Sequence, residues 1–121
     1  ITKAPWIPLG RECLCVLLLN SRRRSIGYEL VSIGSLDSVM AHPADVFRAA
    51  IIAGAGTIIL LHNHPSGDPS PSDADIKVTW DLIRSGQLNR IDLLDHVIMG
   101  RPEKPGGRDY ASLRELGYFY S

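Results

Sequence analysis

His62 and His64 are separated by one residue and close an apolar run over residues 57–61, and Asp75 follows eleven residues beyond His64. On an extended strand, positions i and i+2 share a face, with Cα atoms about 6.5–7 Å apart. Two imidazoles so placed can converge on one ion. Zinc accepts mixed nitrogen and oxygen donors, and two histidines with one carboxylate leave a fourth position open for water, the arrangement of a catalytic rather than a structural zinc. A second reading accounts for part of the same pattern. Ser72 and Asp75 have the spacing of a capping box, with Ser72 as N-cap and Asp75 at the third helical position. Asp73 and Asp75 also suit a helix N-terminus electrostatically, with or without a metal. Spacing alone leaves both readings open.

The surrounding elements must place these groups. Residues 12–20, ECLCVLLLN, read as a strand buried on both faces. Residues 21–25 make a polar turn and residues 26–33 a second strand, so the pair is expected as an antiparallel hairpin ended by Gly34 and Ser35. A first helix is expected over residues 43–53, opened by Pro43 and facing inward through Val46, Phe47, Ala50 and Ile51. Gly54 and Gly56 stop it. Residues 57–61 form a short buried strand that runs into His62-Asn63-His64, and PSGDPSP is an irregular loop. A second helix runs from Ser72 to about residue 85, with Ile76, Thr79, Trp80 and Ile83 on one face. Residues 91–99 are another strand, 101–108 an exposed loop, and 112–116 a short final helix or turn. Local pairing at the start and partial alternation later argue for a mixed sheet with helices packed on it.

Bulk composition narrows the partners. A chain of 121 residues is one domain, and 45% hydrophobic with 21% charged residues is a globular mix. Thirteen basic residues balance thirteen acidic ones, which gives no electrostatic reason to expect nucleic acid or an anionic membrane. The consecutive Arg22, Arg23 and Arg24 read as a solvated turn. No apolar run approaches the ~20 residues of a membrane span, and no signal peptide is visible. Cys13 and Cys15 read as buried core thiols, which fits a reducing cytoplasm. The chain begins at Ile1, so a piece of a longer protein is expected.

The run His62-Asn63-His64-Pro65, then Ser72, then Asp75, matches the H-x-H-P-x6-S-x2-D signature of the JAMM/MPN metalloprotease superfamily. More closely, HNHPSGDPSPSDADI resembles the hallmark of the bacterial RadC family, as do LLDHVIMG at 93–100 and YASLRELG at 110–117. The likeness spans roughly residues 10–117. It implies an α/β fold of α+β type across residues 1–121: a single MPN/JAB-like, cytidine-deaminase-like domain whose mixed sheet is flanked by helices. The helix-hairpin-helix region that the family commonly carries upstream is expected to be absent here.

The resemblance also implies roles. His62, His64 and Asp75 match the zinc ligands, and Ser72 matches the serine that stabilises a tetrahedral intermediate. An upstream glutamate takes a proton from the zinc-bound water. Glu29 is the expected base, because ELVSIGS precedes the metal motif as in the family; Glu12, near the start of the first strand, is the weaker choice. The implied activity is cleavage of peptide or isopeptide bonds by a zinc-activated water, without a covalent intermediate. His96 is expected as a core or supporting histidine rather than a fourth ligand, and His42 as a surface residue. Asp68 and Asp73 flank the site, either orienting histidines or solvating the loop.

Rival readings are a non-catalytic MPN scaffold and an accessory role in DNA repair or metabolism, the latter resting on family association alone. The contiguous letters HNH do not make an HNH nuclease, whose residues lie far apart in sequence. A zinc deaminase would need H-x-E and P-C-x-x-C, which do not occur. A peptide or protein substrate is the expected partner. Its identity and the oligomeric state are not legible.

Overall fold

The computed structural model describes residues 12–33, 42–101 and 106–119. The expected strand break at Gly34 and Ser35, and residues 102–105 of the exposed loop, lie outside them. Seven elements follow in order: β1 (Cys13–Leu19), β2 (Ser25–Ile33), α1 (Pro43–Ala53), β3 (Thr57–Asn63), α2 (Asp73–Asn89), β4 (Asp92–Met99) and β5 (Tyr110–Ser112). They form one mixed sheet in the order β2-β1-β3-β4-β5.

The β1–β2 hairpin is antiparallel, as expected. Its turn is set by Asn20, whose side-chain oxygen accepts from the amides of Arg22 and Arg24. The arginine triplet is therefore an exposed turn. β1 also pairs antiparallel with β3, and β3 pairs parallel with β4 through the α2 crossover. A parallel pair needs such a crossover, and it carries the chain from the C-terminal end of β3 into the N-terminus of α2. His62, His64 and Asp75 flank that junction.

Both helices contribute to one core. Leu14, Val16, Leu18, Ile58 and Leu60 from the sheet meet Val46, Phe47 and Ala50 of α1 and Val78 and Leu82 of α2. Side chains one position along the strands point to the other face, where Cys15, Leu61, Val97 and Met99 form a second cluster. Cys13 and Cys15 are buried and form no disulfide, and burial pushes the Cys15 thiol up to about 11.

Several boundaries and faces differ from expectation. Ile51 is exposed, leaving Val46, Phe47 and Ala50 as the inward stripe of α1. In α2 the buried stripe is Asp75, Val78, Thr79, Leu82 and Gly86, while Trp80 turns outward and its indole N–H donates to the Tyr118 carbonyl. The helix continues past residue 85 to Asn89. Gly86 does not end it but permits close approach: a Cβ there would lie 2.3 Å from the Ile91 carbonyl oxygen. The terminal segment is a three-residue strand, β5, pairing with β4, followed by turns. Of the short helix or turn expected at 112–116, the turn forms, and the Asp95 carboxylate accepts from the Ser112 hydroxyl and the Arg114 amide, tying this segment to β4.

The loop after β3 is clamped to the end of β4. The His64 amide donates to the Met99 carbonyl and the Arg101 amide to the Gly67 carbonyl, each at 2.8 Å. The approach requires glycine at 100, where a Cβ would stand 2.3 Å from the Gly67 carbonyl oxygen. Neither partner is a flexible side chain that can move aside. Gly100→Ala is expected to destabilise the protein by about 1–3 kcal/mol, the usual cost of overpacking, measured by urea unfolding. Gly106→Ala provides the contrast: its Cβ would meet open space, so any cost comes from its positive φ alone.

Candidate metal centre

The site is built at the C-terminal end of β3. His62 pairs across the sheet with Leu14 of β1 and with Ile98 of β4, so it lies on an interior strand and is 2% exposed. His64 is one residue beyond the strand and partly exposed. Asp75 arrives on the first turn of α2 and is fully buried. The two histidine rings meet edge to face at 4.9 Å between centroids.

The capping box and the convergence coexist. The Ser72 hydroxyl oxygen accepts from the Asp75 amide, and Asp75 Oδ2 accepts from the Ser72 amide at 2.8 Å. The same Oδ2 lies 3.1 Å from His64 Nε2, and Asp75 Oδ1 lies 3.2 Å from His62 Nδ1. Burial by itself raises the Asp75 carboxyl pKa. The His62 and His64 imidazoles facing it and the hydrogen bond from the Ser72 amide outweigh it and hold the group well below the usual carboxylate range. The hydrogen bond to Asp75 raises His64.

Hydrogen accounting shows what this cluster lacks. His64 Nδ1 is 2.9 Å from the Asp68 backbone carbonyl, which can only accept, so Nδ1 carries the proton. In neutral His64 the lone pair is then on Nε2, facing the lone pairs of Asp75 Oδ2. Only a proton or another cation reconciles the two. Deeper in, His62 Nδ1 and Nε2, Asp75 Oδ1 and His96 Nε2 are buried without a hydrogen-bond partner. Natural proteins rarely leave such groups unsatisfied. A concentration of convergent acceptors with so few donors fits a bound cation.

Two sets of ligand-capable atoms lie within 4.8 Å of one another: Glu12, His62 and His64, and His62, Asp75 and His96. The expectation of Glu29 as the nearby acid is corrected here. Glu12 Oε2 lies 3.8 Å from His62 Nε2, while Glu29 belongs to neither set. The reason is register. β1 is antiparallel to β3, so the start of β1 lies beside the end of β3. The Cys13 amide donates to the Asn63 side chain at 2.6 Å and pins that start in place. Glu29 lies opposite Val16, itself opposite Leu60, two residues short of His62 and on the exposed edge strand β2.

Other groups support the centre. His96 is completely buried, and burial pushes its pKa down to about 3, so it is neutral. Its Nδ1 lies 2.7 Å from the hydroxyl of Thr79, which helical spacing alone marks only as part of an inward helix face. Asp68 acts on His64 through its backbone carbonyl rather than its carboxylate. His42 and Asp73 are exposed. Beside the metal motif, a cleft of about 600 Å³ lies between residues 66–71 and Arg101, Arg108 and Tyr110.

A mixed five-stranded sheet, with candidate metal-binding residues where a central strand enters the crossover helix, defines a JAB/MPN-type domain. The model of the RadC-like JAB domain matches residues 3–118, and the chain belongs to that family. It is 47% identical over 111 residues to a UPF0758 protein of Caldanaerobacter subterraneus, covering 92% of this chain and 45% of the relative. A UPF0758 protein of Chlorobaculum parvum is 48% identical over 104 residues, covering 86% and 47%, and one of Methanococcoides burtonii is 46% identical over 110 residues, covering 91% and 45%. The chain thus spans about half the length of the curated relatives it matches. Among the described residues, no helix is long and apolar enough to cross a membrane.

Proposed function

We propose that this domain is a zinc-dependent metallohydrolase that cleaves amide bonds, peptide or isopeptide, in a protein or peptide substrate. The observation that carries the reading is the convergence of His62, His64 and Asp75 around lone pairs that no protein donor satisfies, beside a partly exposed carboxylate on Glu12. His62, His64 and Asp75 would hold the zinc. Bound zinc supplies Lewis acidity, lowering the pKa of a water toward ~7 and polarising a carbonyl.

The chain's own groups do the rest. Glu12 accepts the proton of the attacking water and returns it to the leaving amine. Ser72 accepts the Asp75 amide with its hydroxyl oxygen, which leaves its own hydrogen free to donate. Ser72 is exposed, so that hydrogen can reach a developing oxyanion. The helix cap and the catalytic donor are one side chain used through two different atoms. Asp68 holds His64 in the tautomer that presents Nε2. The cleft beside residues 66–71 offers room for the substrate chain.

The test is metal analysis together with amide hydrolysis. Protein purified without chelator is expected to carry close to one zinc per chain, and His64→Ala is expected to lose it. Hydrolysis of a panel of peptide and isopeptide substrates should stop on chelation and return with added zinc. Substoichiometric zinc, unchanged by His64→Ala, would overturn the reading. Zinc at full occupancy with no hydrolysis by the full-length protein would favour a scaffold instead.

A further inference from the structure

The Thr79–His96 pair lies behind the candidate centre and takes no part in the mechanism above. Thr79 Oγ1 donates to the Asp75 backbone carbonyl at 2.9 Å and lies 2.7 Å from His96 Nδ1. A hydroxyl has one hydrogen. With it committed to the carbonyl, Thr79 meets His96 as an acceptor, so His96 Nδ1 carries the proton and Nε2 carries the lone pair. The opposite tautomer would put an N–H at a buried atom that has no hydrogen-bond partner, the costlier kind of orphan. One ring nitrogen of His96 is within 4.8 Å of a His62 nitrogen and an Asp75 oxygen, and the His62 and His96 ring centroids stand 6.1 Å apart; with Nδ1 taken by Thr79, Nε2 is the buried nitrogen left without a partner.

His62 has two nitrogens in different surroundings. Nε2 lies toward the partly exposed Glu12 at 3.8 Å. Nδ1 lies toward the fully buried Asp75, 3.2 Å from Oδ1. Besides the Asp75 carboxylate, which would be drawn toward a bound metal, His96 Nε2 is a buried, unpartnered acceptor beside the His62 ring.

We propose that His96 is a positioning residue that fixes the tautomer of His62: it takes the inward N–H of His62 on Nε2 and is itself locked by Thr79, so that His62 presents its other nitrogen to the metal. The two histidines of the motif are then oriented by different means, His64 by the Asp68 carbonyl and His62 by a chain of donors running from His62 through His96 and Thr79 to the Asp75 carbonyl. Each link donates in one direction. This inference rests on the zinc reading for its consequence, though not for the tautomer of His96.

Nitrogen-15 NMR of the histidines tests it in zinc-free and cadmium-113-loaded protein. His96 is expected as the Nδ1–H form in both states, and cadmium coupling is expected at His62 and His64 but not at His96. Chelator competition with zinc gives the second readout. His96→Phe removes the acceptor and should weaken zinc binding about tenfold to a hundredfold, the usual effect of losing a group that orients a ligand. His96→Gln keeps an acceptor near the Nε2 position and should stay within several-fold of wild type. If His96→Phe does not fold, Thr79→Val reads the same chain, and a shift of His96 toward the Nε2–H form is expected. An Nε2–H form in the wild-type protein, cadmium coupling to His96, or unchanged zinc affinity in folded His96→Phe would each overturn the proposal. If the protein binds no zinc at all, the zinc reading fails by itself, and the tautomer in the metal-free protein still decides the role of His96.

Discussion

Replacing Glu12 by glutamine is expected to lower amide hydrolysis about a hundredfold to ten-thousandfold, the usual contribution of a positioned general base, while zinc content stays unchanged. Glutamine keeps the size and hydrogen-bonding reach of the side chain but cannot take a proton from water. Glu29→Gln is the matched control. It lies on the exposed edge strand opposite Val16, outside both groups of ligand-capable atoms, and its activity should stay within about twofold of wild type. The comparison is a kcat/KM measurement on zinc-loaded proteins with folding checked by circular dichroism. Equal activity of wild type and Glu12→Gln would remove Glu12 from the mechanism. A large loss confined to Glu29→Gln would restore the sequence-based choice.

Asp75→Ala should have the other large effect, because one carboxylate serves the helix and the centre together. It caps α2 through the Ser72 amide and faces both histidines. Its removal leaves two histidines, and zinc should fall well below one per chain. Stability of the zinc-free protein should also drop, by about 1–3 kcal/mol, since buried partners of a lost hydrogen-bonding group are left unsatisfied. Asp73→Ala separates the contributions. Asp73 is exposed in the same first turn and touches neither histidine by any recorded contact, so only the helix-dipole term of about 0.3–1 kcal/mol is at stake and zinc should remain bound. Metal analysis and urea unfolding of the two variants measure this. Retention of full zinc by Asp75→Ala would exclude it as a ligand.

His62, His64, Ser72 and Asp75 stood out as candidates in the sequence because they lie close together in it and match a family motif. A strand end, a proline-rich loop and a helix cap fall within fourteen consecutive residues, and strand and helix periodicities bring the groups to one junction. The hairpin, α1, the buried cysteines and the mixed sheet were legible for the same reason: apolar patterning and turn residues act over short range. The conflict between a capping box and a metal site was not one that spacing could resolve. In the structure both readings fit the same residues: Asp75 Oδ2 accepts from the Ser72 amide and also faces His64 Nε2, while Oδ1 faces His62.

What the sequence could not place depends on register between distant strands. Whether Glu12 or Glu29 reaches the histidines is decided by how β1 lies against β3, with Leu14 opposite His62, and no local pattern of either glutamate encodes that pairing. His96 was expected as a core or supporting histidine and Thr79 as part of a helix face, but nothing local joins them. Their contact across 17 positions exists because β4 runs parallel to β3 beneath α2. The sequence alone determined the candidate ligands and the kind of chemistry they suit. Tertiary packing decided which acid stands beside them and which buried hydrogen bonds can hold them, because those contacts are made between elements whose alignment only the assembled sheet fixes.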